Sequence, residues 1–358
     1  MFSKIDEFID GALSSGIPFC DMAIYHKGRE VYRRTEGTLD KEGNIRVSGD
    51  ELYNVYSASK VITCTAALML CERGLISLDD RLSKYMPEFE KMHVKCDTGL
   101  VESKNHITLE HLFTMTAGIP YDLYSPSMKA YRTETGGKCP TILLPKYLSR
   151  EPLVCEPGEK WQYGLCHDLL AALIEIVTGE RFGEFVRKNI FLPLEMYNTT
   201  FSHEENEVSK IAPQYLYNAE RGECIPCAKK NVYNFGTQYE AGGAGCITSV
   251  CDYMRFLEGL RTLKLINKDT LTLMSKNHVS AVNTDGYWLD GAGYGYGLGV
   301  RCPRDCSKSD FGWGGAAGAF LMIDTAHELS ALYVQHVLSS PVQPHESTLG
   351  ATISEIFS

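Results

Sequence analysis

Apolar and polar positions alternate on both sides of Lys27-Gly28, from Asp21-Met22-Ala23-Ile24-Tyr25-His26 to Arg29-Glu30-Val31-Tyr32. A period of two broken by a turn pair predicts a β-hairpin. The stretch before it, Met1 to Ile9, reads as the first turns of an amphipathic helix. A second strand region is expected over residues 51–56. Val61-Ile62-Thr63-Cys64-Thr65-Ala66-Ala67-Leu68-Met69-Leu70 is almost continuously apolar and predicts a buried helix. Thr108 caps a helical pattern through Phe113, and another runs from Asp168 to Thr178 and stops at Gly179. A further helix ends at Ile190-Phe191-Leu192-Pro193-Leu194. Over 121–150 tyrosine, proline, glycine and serine accumulate, which predicts a long surface loop. The last third returns to strands: 294–300, 319–323 and 329–337, the last two flanking Asp324-Thr325-Ala326-His327-Glu328 as a hairpin. A closing helix is expected over 346–357.

Strands thus bracket a helical middle. The fold class is α+β: an antiparallel β-sheet flanked by terminal helices, beside a mostly helical lobe. Residues 1–56 and 240–358 would form the sheet part and 57–239 the helical part, as one integrated unit with its site in the cleft between them.

Composition adds limits. The 358 residues are 44% apolar and 22% charged, ordinary for a globular chain. The net charge of -10 and the lack of any basic cluster argue against nucleic acid or an anionic membrane as partner. No run approaches the ~20 apolar residues of a membrane span, and the first residues do not read as a signal peptide. Thirteen cysteines are then expected to stay reduced in a cytoplasmic setting. Cys224-Ile225-Pro226-Cys227, with Cys302 and Cys306, admits a zinc site, but the loose second spacing and lack of a histidine motif favour a hairpin turn carrying two incidental thiols. The glycine-rich run Ala241-Gly242-Gly243-Ala244-Gly245 lacks the Lys-Ser or Lys-Thr of a phosphate loop and reads as packing or a tight turn.

The chemistry starts at Ser57-Ala58-Ser59-Lys60. Residues three apart share a helix face, so the Ser57 hydroxyl and Lys60 amine can touch. Unpaired N–H groups and a positive dipole end lie at the same turn. Nucleophile, proton acceptor and anion-stabilising amide together suit acyl transfer through a serine ester. A bare Ser-x-x-Lys is common, and its alternative is a capping serine beside an exposed lysine.

The surrounding phrases decide between them. Tyr56-Ser57-Ala58-Ser59-Lys60 is followed by Leu68-Met69-Leu70-Cys71-Glu72-Arg73-Gly74, Leu78-Asp79-Asp80 and Lys84-Tyr85-Met86-Pro87-Glu88-Phe89. Ile107 to Pro120 follows, with Leu109-Glu110-His111-Leu112-Phe113 and Thr116-Ala117-Gly118-Ile119-Pro120 inside it. Glu156-Pro157-Gly158-Glu159-Lys160-Trp161-Gln162-Tyr163 leads into Asp168-Leu169-Leu170 and Ile174 to Gly179. In this order they resemble the serine β-lactamase and penicillin-binding protein superfamily, most closely its class C β-lactamase-like branch with the family VIII carboxylesterases.

The resemblance implies an acyl-enzyme at Ser57, with Lys60 and Tyr163 as a coupled pair sharing one proton. A phenol is a poor base at its ordinary pKa near ~10, and a neighbouring ammonium favours its phenolate. By the late motif Phe311-Gly312-Trp313-Gly314-Gly315-Ala316, the backbone N–H groups of Ser57 and Ala316 would form the oxyanion hole. Trp313, where the family carries lysine or histidine, would offer a flat wall and no cation, with Gly314 and Gly315 letting the strand pass close. Leu165 replaces the asparagine of the Tyr-x-Asn motif and leans the substrate from amides towards esters. Tyr121, Tyr124, Tyr287 and Trp288 are further candidates for the cleft. No metal or cofactor is implied. The expected function is a serine hydrolase acting on small esters. The alternatives are a β-lactamase or D-alanyl peptidase, an acyltransferase, or a non-catalytic binding protein that retains the fold.

Overall fold

β1 (Phe19–His26) and β2 (Arg29–Gly37) form the expected antiparallel hairpin around Lys27-Gly28. Both turn residues have positive φ, 54° and 75°, the twist that suits a two-residue hairpin. The computed structural model describes residues 1–40, 42–305 and 308–357. Six short strands follow the hairpin: β3 (Tyr53–Asn54), β4 (His93–Cys96), β5 (Gly99–Glu102), β6 (Gln214–Asn218), β7 (Glu223–Cys227) and β8 (Ile247–Thr248). The chain then adds β9 (Tyr294–Tyr296), β10 (Arg301–Pro303), β11 (Asp310–Gly315), β12 (Ala319–Asp324), β13 (Leu329–Val334) and β14 (Val337–Leu338). The main sheet has seven strands in the order β2-β1-β13-β12-β11-β10-β9, all antiparallel. β12 and β13 are buried along their whole length.

The helices are α1 (Ser3–Ser14), α2 (Ser59–Glu72), α3 (Leu109–Phe113), α4 (Pro126–Glu134), α5 (Leu144–Leu148), α6 (Cys166–Thr178), α7 (Phe182–Val186), α8 (Glu205–Lys210), α9 (Val250–Arg261), α10 (Lys268–Met274) and α11 (Ala351–Phe357). The terminal helices cover one face of the sheet. Phe8 of α1 meets Tyr333 edge-on at 5.5 Å, and Phe357 of α11 meets His26 at 4.9 Å. Ser330, three residues from Tyr333 and therefore on the opposite side of β13, donates to Glu258 of α9. α2 is buried from Ser59 to Leu70 and packs on α6. The α6 stop is the expected one, with Gly179 at φ 72°, and Thr108 Oγ1 accepts the His111 N–H at the start of α3.

Several expectations change. The supposed surface loop over 121–150 contains α4, α5 and a turn of 3-10 helix, with Met128, Tyr131, Leu144 and Leu148 buried. The strand expected over 51–56 is two residues long, because Tyr56 turns the chain at φ 47°. The strand expected over 294–300 stops at Tyr296. Gly297 lies where a Cβ would be 2.2 Å from the Met274 carbonyl, and Gly299 has φ 86°. Cys224 and Cys227 stand along β7 rather than in its turn, and Cys306 lies outside the described residues. Among the described residues no group of three or more His, Cys, Asp and Glu is placed to hold a metal ion, and no helix is long and apolar enough to cross a membrane.

Candidate active site

Ser57 sits in a single 3-10 turn, Tyr56–Ala58, that runs into α2. The turn closes with the Ala58 N–H on the Val55 carbonyl. Lys60, one residue into α2, is fully buried, while Ser57 is half-buried and reachable. Tyr163 arrives just before α6. Its phenol donates to Ser57 Oγ at 2.8 Å, and Lys60 Nζ lies 3.3 Å from the same oxygen. The ammonium also sits 4.6 Å from the Tyr163 ring centroid. Hydroxyl, amine and phenol therefore meet at one point from two segments about a hundred residues apart.

The glycine-rich run 241–245 forms the floor under Lys60. Lys60 Nζ donates to the Gly243 carbonyl at 2.6 Å, and Thr63 Oγ1 donates to the Gly242 carbonyl at 2.6 Å. A Cβ at Gly243 would lie 2.6 Å from Asp168 Oδ2 and 3.4 Å from Lys60 Nζ, so this run needs glycine for close approach. Burial pushes the Asp168 carboxyl up; the Lys60 charge and the Tyr239 hydroxyl at 2.8 Å hold it down. His167, behind Lys60, is pushed down to about 3 by burial and by the Lys60 charge, so it stays neutral. Burial also drives the Cys64 thiol up, against the Lys60 field. Lys60 and Asp168 thus lie side by side beneath the cleft, both against Gly243.

Above Ser57 a cavity of about 300 Å³ opens, walled by Tyr121, Tyr163, Tyr233, Trp288 and Trp313 with Gly314, Gly315 and Ala316 along one edge. Tyr163 and Trp313 are nearly parallel at 6.2 Å, and Tyr121 stacks on Tyr233 at 5.6 Å. Ala316 begins the turn after β11. A Cβ on Gly315 would lie 2.2 Å from the Val55 carbonyl, so the end of β11 rests directly on the nucleophile segment.

Residues 5–350 match the family described as Beta-lactamase. The chain belongs to the β-lactamase family. Among curated relatives, esterase EstB of Burkholderia gladioli is 27% identical over 360 residues, covering 92% of this chain and 89% of its own. Acyltransferase mokF of Monascus pilosus is 29% identical over 271 residues, 71% of this chain and 65% of its own. Among solved structures, EstCE1, described as a hydrolase with promiscuous acyltransferase activity, superposes with a TM-score of 0.78 at 23% identity, covering 98% and 97% of the two chains. The D-amino acid amidase of Ochrobactrum anthropi gives 0.74 at 16% identity, covering 99% and 98%. These likenesses establish the β-lactamase/transpeptidase-like fold.

Within this β-lactamase-family cleft the sequence-derived candidates separate. Ser57, Tyr163, Tyr121, Trp288, Trp313, Gly314, Gly315 and Ala316 line the cavity, with Lys60 directly beneath. Three do not line it. Leu165 is buried at the start of α6. Tyr124 is 65% exposed, with the Arg132 guanidinium 5.8 Å from its ring. Tyr287 is buried, donating to the Gly295 carbonyl at 2.9 Å and packing 4.6 Å from Trp161. Sequence reasoning missed Tyr233, Leu289, Ala319 and the segment Gln343-Pro344-His345, which also line the cavity. It missed Gly243 as the carbonyl partner of Lys60 as well. The run 241–245 carried a signal, its glycine density, but not its target; Tyr233 and residues 343–345 lie outside every family phrase read from the sequence.

Proposed function

We propose that this protein is a serine hydrolase that cleaves small uncharged esters through an acyl-enzyme at Ser57. One observation carries the reading: Ser57 Oγ lies 2.8 Å from the Tyr163 phenol and 3.3 Å from Lys60 Nζ at the base of an open cavity. With both partners protonated they donate to Oγ; once the pair has released one proton, it accepts the Ser57 proton instead. Oγ then bonds to the acyl carbon while the Ser57 and Ala316 N–H groups hold the carbonyl oxygen. The C–O bond breaks, and the alcohol leaves with the proton held by the Lys60–Tyr163 pair. Water adds by the same steps in reverse order and frees the acid.

The walls support an ester with an apolar part. No lysine, arginine, aspartate or glutamate lines the cavity among the described residues, so away from the buried Lys60 and the His345 imidazole a substrate carboxylate meets aromatic faces. The name of the EstB relative fits this reading. An alcohol in place of water would give acyl transfer from the same intermediate, a second reading favoured by the mokF relative. Cytoplasmic residence belongs to the proposal too, supported by cysteine usage: thirteen in the chain, and the described ones are free thiols.

Ser57→Ala tests the reading. A fluorophosphonate should label the native protein at Ser57 and leave the variant unlabelled, and p-nitrophenyl acetate turnover should fall by at least about 10³-fold. Native-like turnover in a folded Ser57→Ala protein ends the proposal.

A further inference from the structure

Directly behind the nucleophile turn lies a fully buried polar network that the acyl-transfer steps do not use. Tyr56, the residue before Ser57, is a buried non-glycine residue held at φ 47°, a conformation that persists only when the surroundings enforce it. Its hydroxyl donates to Gln214 Oε1 at 2.8 Å. The same oxygen accepts Asn54 Nδ2 at 3.2 Å, and Asn54 Nδ2 also reaches the Lys229 carbonyl at 2.8 Å. Gln214 is fixed in turn by donating Nε2 to the Ala228 carbonyl at 3.0 Å.

The network continues to the other half of the site. The Asn54 backbone N–H donates to His336 Nε2 at 3.2 Å, which leaves Nδ1 as the protonated nitrogen donating to the Pro213 carbonyl at 3.0 Å. His336 is wholly buried, itself at φ 50°. Its chain neighbours support the turn after β11. The Val337 N–H donates to the Ala317 carbonyl at 3.0 Å, and the Gln335 side chain fills the space against Gly318. One chain of side-chain and backbone contacts thus runs from the strand leading to Ser57, through His336 and its chain neighbours, to the turn carrying Ala316.

We propose that Gln214 is a positioning residue for Ser57, acting through the Tyr56 hydroxyl, and that Asn54 and His336 tie the nucleophile turn to the Ala316 turn so that Oγ and both amides keep one geometry. This rests on the acyl-enzyme reading above. The Tyr56 ring also meets Tyr233 edge-on at 6.0 Å, so the same residue braces the cavity wall. A residue in this strained conformation has few ways to hold it once its hydroxyl partner is gone, and a shift of the turn moves Oγ away from Tyr163.

The test uses the full chain in three variants: Tyr56→Phe, Gln214→Met and the double variant. Two quantities are read: the rate of fluorophosphonate labelling at Ser57, and p-nitrophenyl acetate turnover per labelled site. Tyr56→Phe and Gln214→Met should each lower labelling and kcat about tenfold or more with KM within twofold. The double variant should be no slower than Gln214→Met, because the two act through one bond. Tyr56→Phe removes a single oxygen and serves if Gln214→Met does not fold. Wild-type labelling and kcat in folded Tyr56→Phe overturn the proposal, as does a loss confined to melting temperature, or losses that multiply in the double variant. Absence of Ser57 labelling in the unaltered protein is a separate result, and it would remove the acyl-enzyme reading itself.

Discussion

Gly315→Ala puts the contact between β11 and the nucleophile segment under direct stress. The added methyl would lie 2.2 Å from the Val55 carbonyl oxygen, whereas a carbon meets such an oxygen comfortably at about 3.3 Å. Both sides of this clash are backbone, so no side-chain rotation relieves it. The end of β11 must retreat by roughly 1 Å, and Ala316, the next residue, retreats with it. A misplacement of about 1 Å at a reacting centre lowers rates on the order of 10²-fold, equivalent to about 2.7 kcal/mol of barrier. The assay is kcat/KM for p-nitrophenyl acetate, normalised to fluorophosphonate-titrated sites so that unfolded protein does not count. Gly314→Ala is the internal control: the added carbon lies no closer than 3.1 Å to anything, its neighbour being the Ala319 carbonyl, and its loss should stay within about tenfold. If Gly315→Ala retains kcat/KM within threefold of the native protein, the β11 end does not position the amide as argued.

Tyr163→Phe deletes the phenol that lies 2.8 Å from Ser57 Oγ; turnover should drop about 10²- to 10⁴-fold with little change in melting temperature, and an unaltered rate would remove the phenol from the proton pathway. Glu175, buried and raised from 4.5 to about 7 by desolvation and then by Glu240, against the Phe182 N–H and Arg181, keeps its proton in the folded chain only below about pH 7. Its folded value exceeds its unfolded one, so stability is full below pH 4.5 and is lost as pH rises through 7, on the order of 3 kcal/mol. Glu175→Gln keeps an oxygen for the Phe182 N–H and should flatten this window in melting curves from pH 5 to 8; parallel curves for both proteins refute the assignment. p-Nitrophenyl butyrate should be cleaved about tenfold or more faster than p-nitrophenyl hemisuccinate, with Trp313→Lys narrowing the gap through a new cation in the wall; equal rates in the native protein would show that the aromatic wall does not discriminate against charge.

Local rules accounted for the elements whose signals are local. The Lys27-Gly28 hairpin, the Thr108 cap, the Gly179 stop and the buried run of α2 depend on residues within one or two turns of each other. Ser57 and Lys60 belong to that class, because a spacing of three already puts them together. α4 shows where the reading failed despite a signal: Ser125 caps it and Pro126 occupies its first turn, a helix start hidden in a stretch rich in residues that usually mark loops.

The sequence alone determined that a serine–lysine pair would stand at the mouth of a buried helix, and its ordered phrases placed Tyr163 in the same company. The fold decided everything that depends on distant segments meeting. It brought the Gly243 carbonyl under Lys60, Tyr233 and residues 343–345 into the cavity wall, and Gln214 and His336 behind the nucleophile turn. It also turned Leu165 and Tyr287 into the core and Tyr124 out to solvent. The physical reason is that periodicity reports which face of an element is apolar, whereas the partner of that face is chosen by packing the whole chain.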